Sequence, residues 1–281
     1  MTSNSENSAA KFKDIDLYPV LVKDYEKYLP AKAAWAQRQT FLPVKFVLMP
    51  FLQALFAYAV DKDAVNSPDA PKGAFVGLLQ MLCLVCRLKE TPEELLRNGL
   101  KVRSDNGRLS LVGIEFSQDG QKKYIPAEDF PAVRAIVAGQ NGIELPNEKE
   151  NPEILRAYRL KIEKENEKAK RKEVKFNLDD LIESIAYLSG LRYGDLLTWT
   201  VKEFERRKRA IDRAEDYRAY RTAEMGGMIS FKDGNPVPSL YFDSIDDKYG
   251  TSTLKEANLE RASSQIEAAS EQAAQPQKSN L

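Results

Sequence analysis

The sequence contains no histidine. Imidazole is the commonest general base near neutral pH and the commonest metal ligand, so its absence excludes Ser-His-Asp, Cys-His and HExxH chemistry. Cysteine is nearly as scarce, with only Cys83 and Cys86 in the apolar run Leu79-Gln-Met-Leu-Cys-Leu-Val-Cys-Arg-Leu88. A C-x-x-C spacing serves redox chemistry or half of a zinc site. The first wants an exposed helix start and the second wants further ligands. We therefore read both as buried structural thiols in a reducing compartment, and expect neither metal nor cofactor.

Net charge is missing as well, because 42 basic residues balance 42 acidic ones. That balance removes a global pull toward nucleic acid or an anionic membrane, so any such binding must be local. No long uninterrupted apolar run occurs either. The most apolar stretch, Phe41 to Val60, is broken by Pro43, Lys45, Pro50 and Gln53, whereas a spanning helix wants about 20 mostly apolar residues. It reads as a buried helix, and no membrane partner is expected. The start, Met1-Thr-Ser-Asn-Ser-Glu-Asn-Ser-Ala-Ala10, lacks the apolar core of a signal peptide, so secretion is not expected.

What the sequence has is packing material: 281 residues, 43% of them hydrophobic, enough for one sizeable core or two small ones. The fold class expected is mainly α with a small antiparallel β element. Residues 1–12 and 250–281 are expected to be disordered, the latter because its Ser-, Ala-, Gln- and Glu-rich composition cannot offset ordering entropy by burial. Residues 13–146 form a helical block with a β-hairpin at 100–125. Its helices are placed at Tyr25 to Gln39, Val44 to Val60, Ala74 to Cys86 and after Thr91-Pro-Glu-Glu94, where Thr caps and Glu reaches back. From Leu100 the period changes to alternation around Asp105-Asn-Gly107, which is a hairpin signal, and Lys122 to Ile125 make a third strand after Asp119-Gly120. A helix following Pro131 ends near Gly139, and Asn141-Gly142 reads as a turn.

Residues 151–249 read as a helical domain. A charged helix opens at Asn151-Pro and runs to about Arg171. Asn177-Leu-Asp-Asp180 then opens an amphipathic helix that Gly190 stops, with Leu178, Leu181, Ile182, Ile185 and Leu188 on its packed face. Tyr193 to Leu197 make a short helix. Thr200-Val-Lys-Glu203 is a capping box, and the helix it opens runs to Met225, where Gly226-Gly227 ends it.

Candidate chemistry is sparse. The carboxylate pairs Asp179 with Asp180 and Glu128 with Asp129 sit at helix starts, where interaction with the helix dipole accounts for them. Gly226-Gly227 follows a helix rather than preceding one, so no nucleotide loop is legible and no small-molecule substrate is expected. Two basic clusters invite a nucleic-acid reading, Lys164 to Lys175 and Arg206-Arg-Lys-Arg209 with Arg213, Arg218 and Arg221. Both are laced with acids at helical spacing, which favours a solvated or partner-binding helix over nucleic-acid contact. Trp199 and Phe204 flank the cap, as local core or as an anchor for a partner.

The stretch Phe176 to Arg206, with Leu-Ser-Gly-Leu-Arg-Tyr-Gly-Asp-Leu-Leu from Leu188 and Trp199-Thr-Val-Lys-Glu-Phe204, resembles a pattern of tailed-bacteriophage proteins. In that pattern a helix and short turn precede an aromatic, a Thr or Ser cap and x-x-E/Q-F, which opens an Arg-rich helix. Tail-assembly chaperones and related small tail-module proteins carry it. Gly113-Ile-Glu-Phe-Ser117 and Met225-Gly-Gly-Met228 are similar to segments of phage structural modules, so the likeness spans about residues 100–230. It implies a non-enzymatic protein of the host bacterial cytoplasm that binds an aggregation-prone tail protein, a tape-measure or tube component, during morphogenesis. The partner surface would be Arg206, Arg207, Arg209 and Arg213, with Trp199 and Phe204 inward; the reverse assignment makes the aromatics the partner site. The large N-terminal block departs from a small chaperone, which keeps a structural role in the virion open. A nucleic-acid-binding regulator is the third reading.

Overall fold

The computed structural model describes residues 9–39, 42–61, 73–105, 108–147, 160 and 177–227. The expected helix 151–171 apart from residue 160, the Lys164–Lys175 cluster and the tail from 250 lie outside the described residues. The fold is mainly α with a three-stranded antiparallel sheet and a two-stranded hairpin. It divides into two compact units. Unit 1 comprises Met1–Glu148 and Leu178–Glu205, and unit 2 comprises Lys149–Asn177 and Arg206–Leu281. The boundary therefore falls inside the expected C-terminal domain, and its first described helices belong with the N-terminal block.

Unit 1 opens with β1 (Ala10–Phe12) and β2 (Ile15–Leu17), an antiparallel hairpin where disorder to residue 12 was expected. Pairing supplies what composition hides: Ile15 and Leu17 are fully buried. A 3-10 turn, Val22–Asp24, leads into α1 (Tyr25–Trp35). The expected helix Val44 to Val60 is instead two, α2 (Val44–Val47) and α3 (Phe51–Val60), because Pro50 has no N–H and disfavours helical backbone at Met49. The Gln39 amide nitrogen collects the loose ends by donating to the carbonyls of Phe46, Val47 and Met49. Next come α4 (Ala74–Val85) and α5 (Pro92–Glu94), opened by the Thr91–Glu94 capping box and continued by a π-helical turn, Leu95–Gly99.

Helices α1 and α4 cross closely at small residues. A Cβ on Gly77 would lie 2.7 Å from Ala34 Cβ and 3.2 Å from the Pro30 carbonyl oxygen, so glycine there is a packing requirement. Beside this crossing Trp35, Phe51 and Phe130 form an aromatic cluster. Arg134 lies 3.5 Å over the Phe51 ring and donates to the Trp35 and Gln37 carbonyls, closing the end of α1.

The sheet runs in the order β3 (Leu100–Asp105), β4 (Arg108–Gln118), β5 (Gln121–Pro126). A bulge interrupts the β3–β4 register: Lys101 faces Gly113 and Val102 faces Leu111, leaving Val112 without a partner across the strand. The extra residue turns the strand so that Leu111, Ile114 and Phe116 are all buried. Gly113 lies under the Tyr124 ring, whose hydroxyl donates to the Val112 carbonyl at 3.1 Å. Helix α6 (Phe130–Asn141) runs past the expected end at Gly139. It is Gly142, at φ +63°, that provides the left-handed stop, and Asn141 is a fully buried helical residue rather than part of a turn.

The chain then supplies α7 (Leu178–Ser189), α8 (Tyr193–Leu197) and α9 (Val201–Met225). In α7, Ile182 and Ile185 are buried together with Ala186, whereas Leu178 and Leu181 are half-buried and Leu188 is exposed, so the packed face is narrower than the periodicity suggests.

The extended strip from Ile15 to Val22 threads the middle of unit 1, and its backbone is satisfied largely by side-chain amides. Gln118 accepts from the Asp16 N–H at 3.1 Å and donates to the Asp16 and Cys86 carbonyls at 2.8 and 3.1 Å. Gln140 donates to the Leu17 carbonyl. Asn141 accepts from the Val20 N–H at 2.8 Å, while its own carbonyl takes the Tyr28 hydroxyl at 3.1 Å. Beyond the β1 pairing of Ile15–Leu17, these amides and the Tyr18 N–H bond to the Val85 carbonyl satisfy backbone groups of the strip.

Candidate partner-binding surface

The same strip receives the start of α9. Val22 N–H donates to the Trp199 carbonyl and Val201 N–H to the Val20 carbonyl, both at 2.9 Å, forming an antiparallel bridge between Leu21 and Thr200. At that point Thr200 opens the helix. The Glu203 N–H donates to Thr200 Oγ1 at 3.2 Å and the Glu203 carboxylate accepts from the Thr200 N–H at 2.8 Å, so the capping box forms as its spacing demands.

One turn later Phe204, fully buried, meets Tyr25 edge to face at 5.5 Å. Glu205 beside it takes both hydrogen bonds of Lys32 Nζ at 2.7 Å, and the Tyr25 hydroxyl donates to the same carboxylate at 3.4 Å. Burial first, and the neighbouring Glu205 charge second, push the Tyr25 phenol up to about 12 and raise Tyr28 further. Lys202 donates to the Gly139 carbonyl at 3.1 Å, tying the same turn to α6. Backbone, apolar and charged contacts therefore converge on residues 199–205 and hold the base of α9 in unit 1.

Comparison with protein-family models, curated proteins and solved structures finds no match. The functional reading accordingly rests on the residues themselves.

Of the six residues expected at the partner site, Phe204 is core and Trp199 is half-buried, its backbone engaged in the bridge. Arg206, Arg207 and Arg209 are exposed. Arg213, at 5% exposure, is buried. Ile211 is half-buried. Further along α9, Lys208 pairs with Asp212 at 2.8 Å and Arg218 with Glu215 at 2.7 Å. These intrahelical pairs lower the cationic character of that stretch.

The contacts of Tyr25, Lys32 and Glu205 have no counterpart in the local sequence pattern, because the partners are 173 to 180 residues apart. Both cysteines are free and buried. Burial drives the Cys83 thiol up to about 12 and raises Cys86 as well, so neither is a thiolate near neutral pH. Asp179, of the first carboxylate pair, accepts the Tyr193 hydroxyl at 2.7 Å, and Asp129, of the second, pairs with Lys13. Among the described residues no group of three or more potential metal ligands gathers, and no helix is long and apolar enough to cross a membrane.

Proposed function

We propose that the chain is a non-enzymatic assembly protein of a tailed bacteriophage, holding a tape-measure or tube protein during morphogenesis in the host bacterial cytoplasm. The observation that carries this reading is the base of α9, where bridge, capping box, Phe204 and Glu205 fix the first turn and the exposed arginines Arg206, Arg207 and Arg209 follow directly. That arrangement fits a capped, arginine-rich helix offered to a partner, the pattern on which the likeness to tail-assembly proteins rests. Co-expression with candidate tail proteins and co-purification tests it.

A structural role in the virion is the second reading. It is favoured by the packing of Leu178–Glu205 into one unit with the large N-terminal block, which a small free-standing chaperone has no need of. Presence of the chain in purified particles distinguishes the two. The nucleic-acid reading is weakened by the acids paired along α9, and a salt-dependent shift with DNA or RNA would restore it.

A further inference from the structure

We propose that the outward face of the β3–β4–β5 sheet is a platform for single-stranded nucleic acid, on which Tyr124 stacks a base while Lys101, Arg103 and Lys122 take the phosphates. The site belongs wholly to unit 1 and stands whether or not α9 captures a tail protein.

Strand alternation divides the sheet into two faces. Ile114, Phe116 and Ile125 are buried in unit 1, so Gly113, Glu115 and Tyr124 lie on the other side, with Lys101 opposite Gly113. The Tyr124 ring reaches from β5 across to Gly113, where a Cβ would collide with it, and its hydroxyl donates to the Val112 carbonyl at 3.1 Å. The ring is therefore laid against the sheet with glycine beneath it, and 39% of the residue is left open to solvent. An aromatic fixed in this way loses little further freedom when a planar base stacks on it.

Both edge strands supply cations beside the ring. Lys101 of β3 and Lys122 of β5 converge on the same Glu115 oxygen, at 3.3 and 3.6 Å, and one carboxylate cannot balance two lysines. Arg103 adds to the surplus: it is exposed, two residues from Lys101 on the same side of β3, and has no ion-pair partner among the described residues. The other acids of the three strands and their turns stand at the ends, Asp105 opposite Arg108 and Asp119 in the β4–β5 turn. Ring and cations together select the occupant. An acidic peptide would meet the cations and leave the ring unused, and a membrane would find no aromatic free to insert, since the Tyr124 hydroxyl is turned to the Val112 carbonyl. A duplex keeps its base faces inside its own stack, whereas an unpaired strand presents base faces and phosphates together.

The test is fluorescence anisotropy of the full chain with a fluorescein-labelled oligothymidylate, beside the same strand annealed to oligoadenylate and a peptide rich in Asp and Glu. The single strand should bind, more weakly as salt is added, and the other two probes should bind at least about tenfold more weakly. Tyr124→Leu should lower the affinity about tenfold, while Tyr124→Phe, which keeps the ring, should retain most of it. Arg103→Glu with Lys122→Glu should lower the affinity about tenfold or more and flatten the salt dependence. Melting temperatures are measured beside each variant, and because Arg103 and Lys122 are exposed their double variant keeps the test decisive even if Tyr124→Leu lowers stability. No binding of the single strand, equal binding of the duplex or the peptide, affinity unchanged in the sheet variants, or affinity lost in Arg206→Glu with Arg209→Glu instead would overturn the proposal.

Discussion

Gln118 and Asn141 show how much one polar side chain can carry. Gln118 has three buried or half-buried backbone partners on Asp16 and Cys86, so Gln118→Leu, similar in volume, strands them and should cost about 1–3 kcal/mol in denaturant unfolding. Neither residue is legible as core: a glutamine at the end of a strand and an asparagine before glycine read as surface and turn. Asp16 and Val20 lie more than 100 residues from Gln118 and Asn141, and Cys86 lies 32 residues from Gln118, where local pattern does not reach. Buried ionisable groups also set the alkaline limit of stability. The Cys83 thiol is raised from 9.0 to about 12 and the Tyr25 phenol from 10.0 to about 12. Each favours the folded state fully below its unfolded value, and the contribution is lost as pH climbs toward the folded one. The melting temperature should therefore fall between about pH 9 and 12, with a shallower fall over the upper part in Tyr25→Phe, measured by circular dichroism across pH.

Elements were read best where their ends carry local chemistry. The capping boxes at Thr91 and Thr200, the helix stops at Gly190 and Gly227 and the alternation through β4 all depend on neighbours within a few residues, so spacing alone reports them. Two features escaped for opposite reasons. The break at Pro50 was visible, but the surrounding apolar run outweighed it in the reading of one long helix. The β4 bulge at Val112 has no residue signature at all, since it is fixed by pairing with β3. The close crossing of α1 and α4 can be challenged directly. Gly77→Leu must displace Ala34 and the Pro30 backbone, and should destabilise by about 1–3 kcal/mol in thermal or urea unfolding. At the base of α9, Phe204→Ala removes a fully buried ring and should cost about 3–5 kcal/mol, while loss of the cap in Thr200→Ala should cost about 1 kcal/mol.

In the whole molecule, the division of the chain departs from the one its composition suggests. Residues 178–205 look continuous with the charged helices around them, yet the bridge to Leu21, the Phe204–Tyr25 contact and the Lys32–Glu205 pair place them in unit 1. Only pairing across the full length of the chain could reveal this. The candidate surface was partly legible. Arg206 and Arg209 are exposed as their helical phase relative to Phe204 implies, whereas Arg207, three residues from Phe204, is exposed and Arg213, nearly opposite it, is buried, both against that phase. The most direct test of the account is co-purification of the full chain with a tape-measure or tube protein, comparing Arg206→Glu with Arg209→Glu against the native chain. The double variant should lose capture while its melting temperature changes by no more than about 2 °C, since both side chains are exposed. Capture at the native level, or unfolding of the double variant, would contradict a partner surface on the exposed arginines of α9.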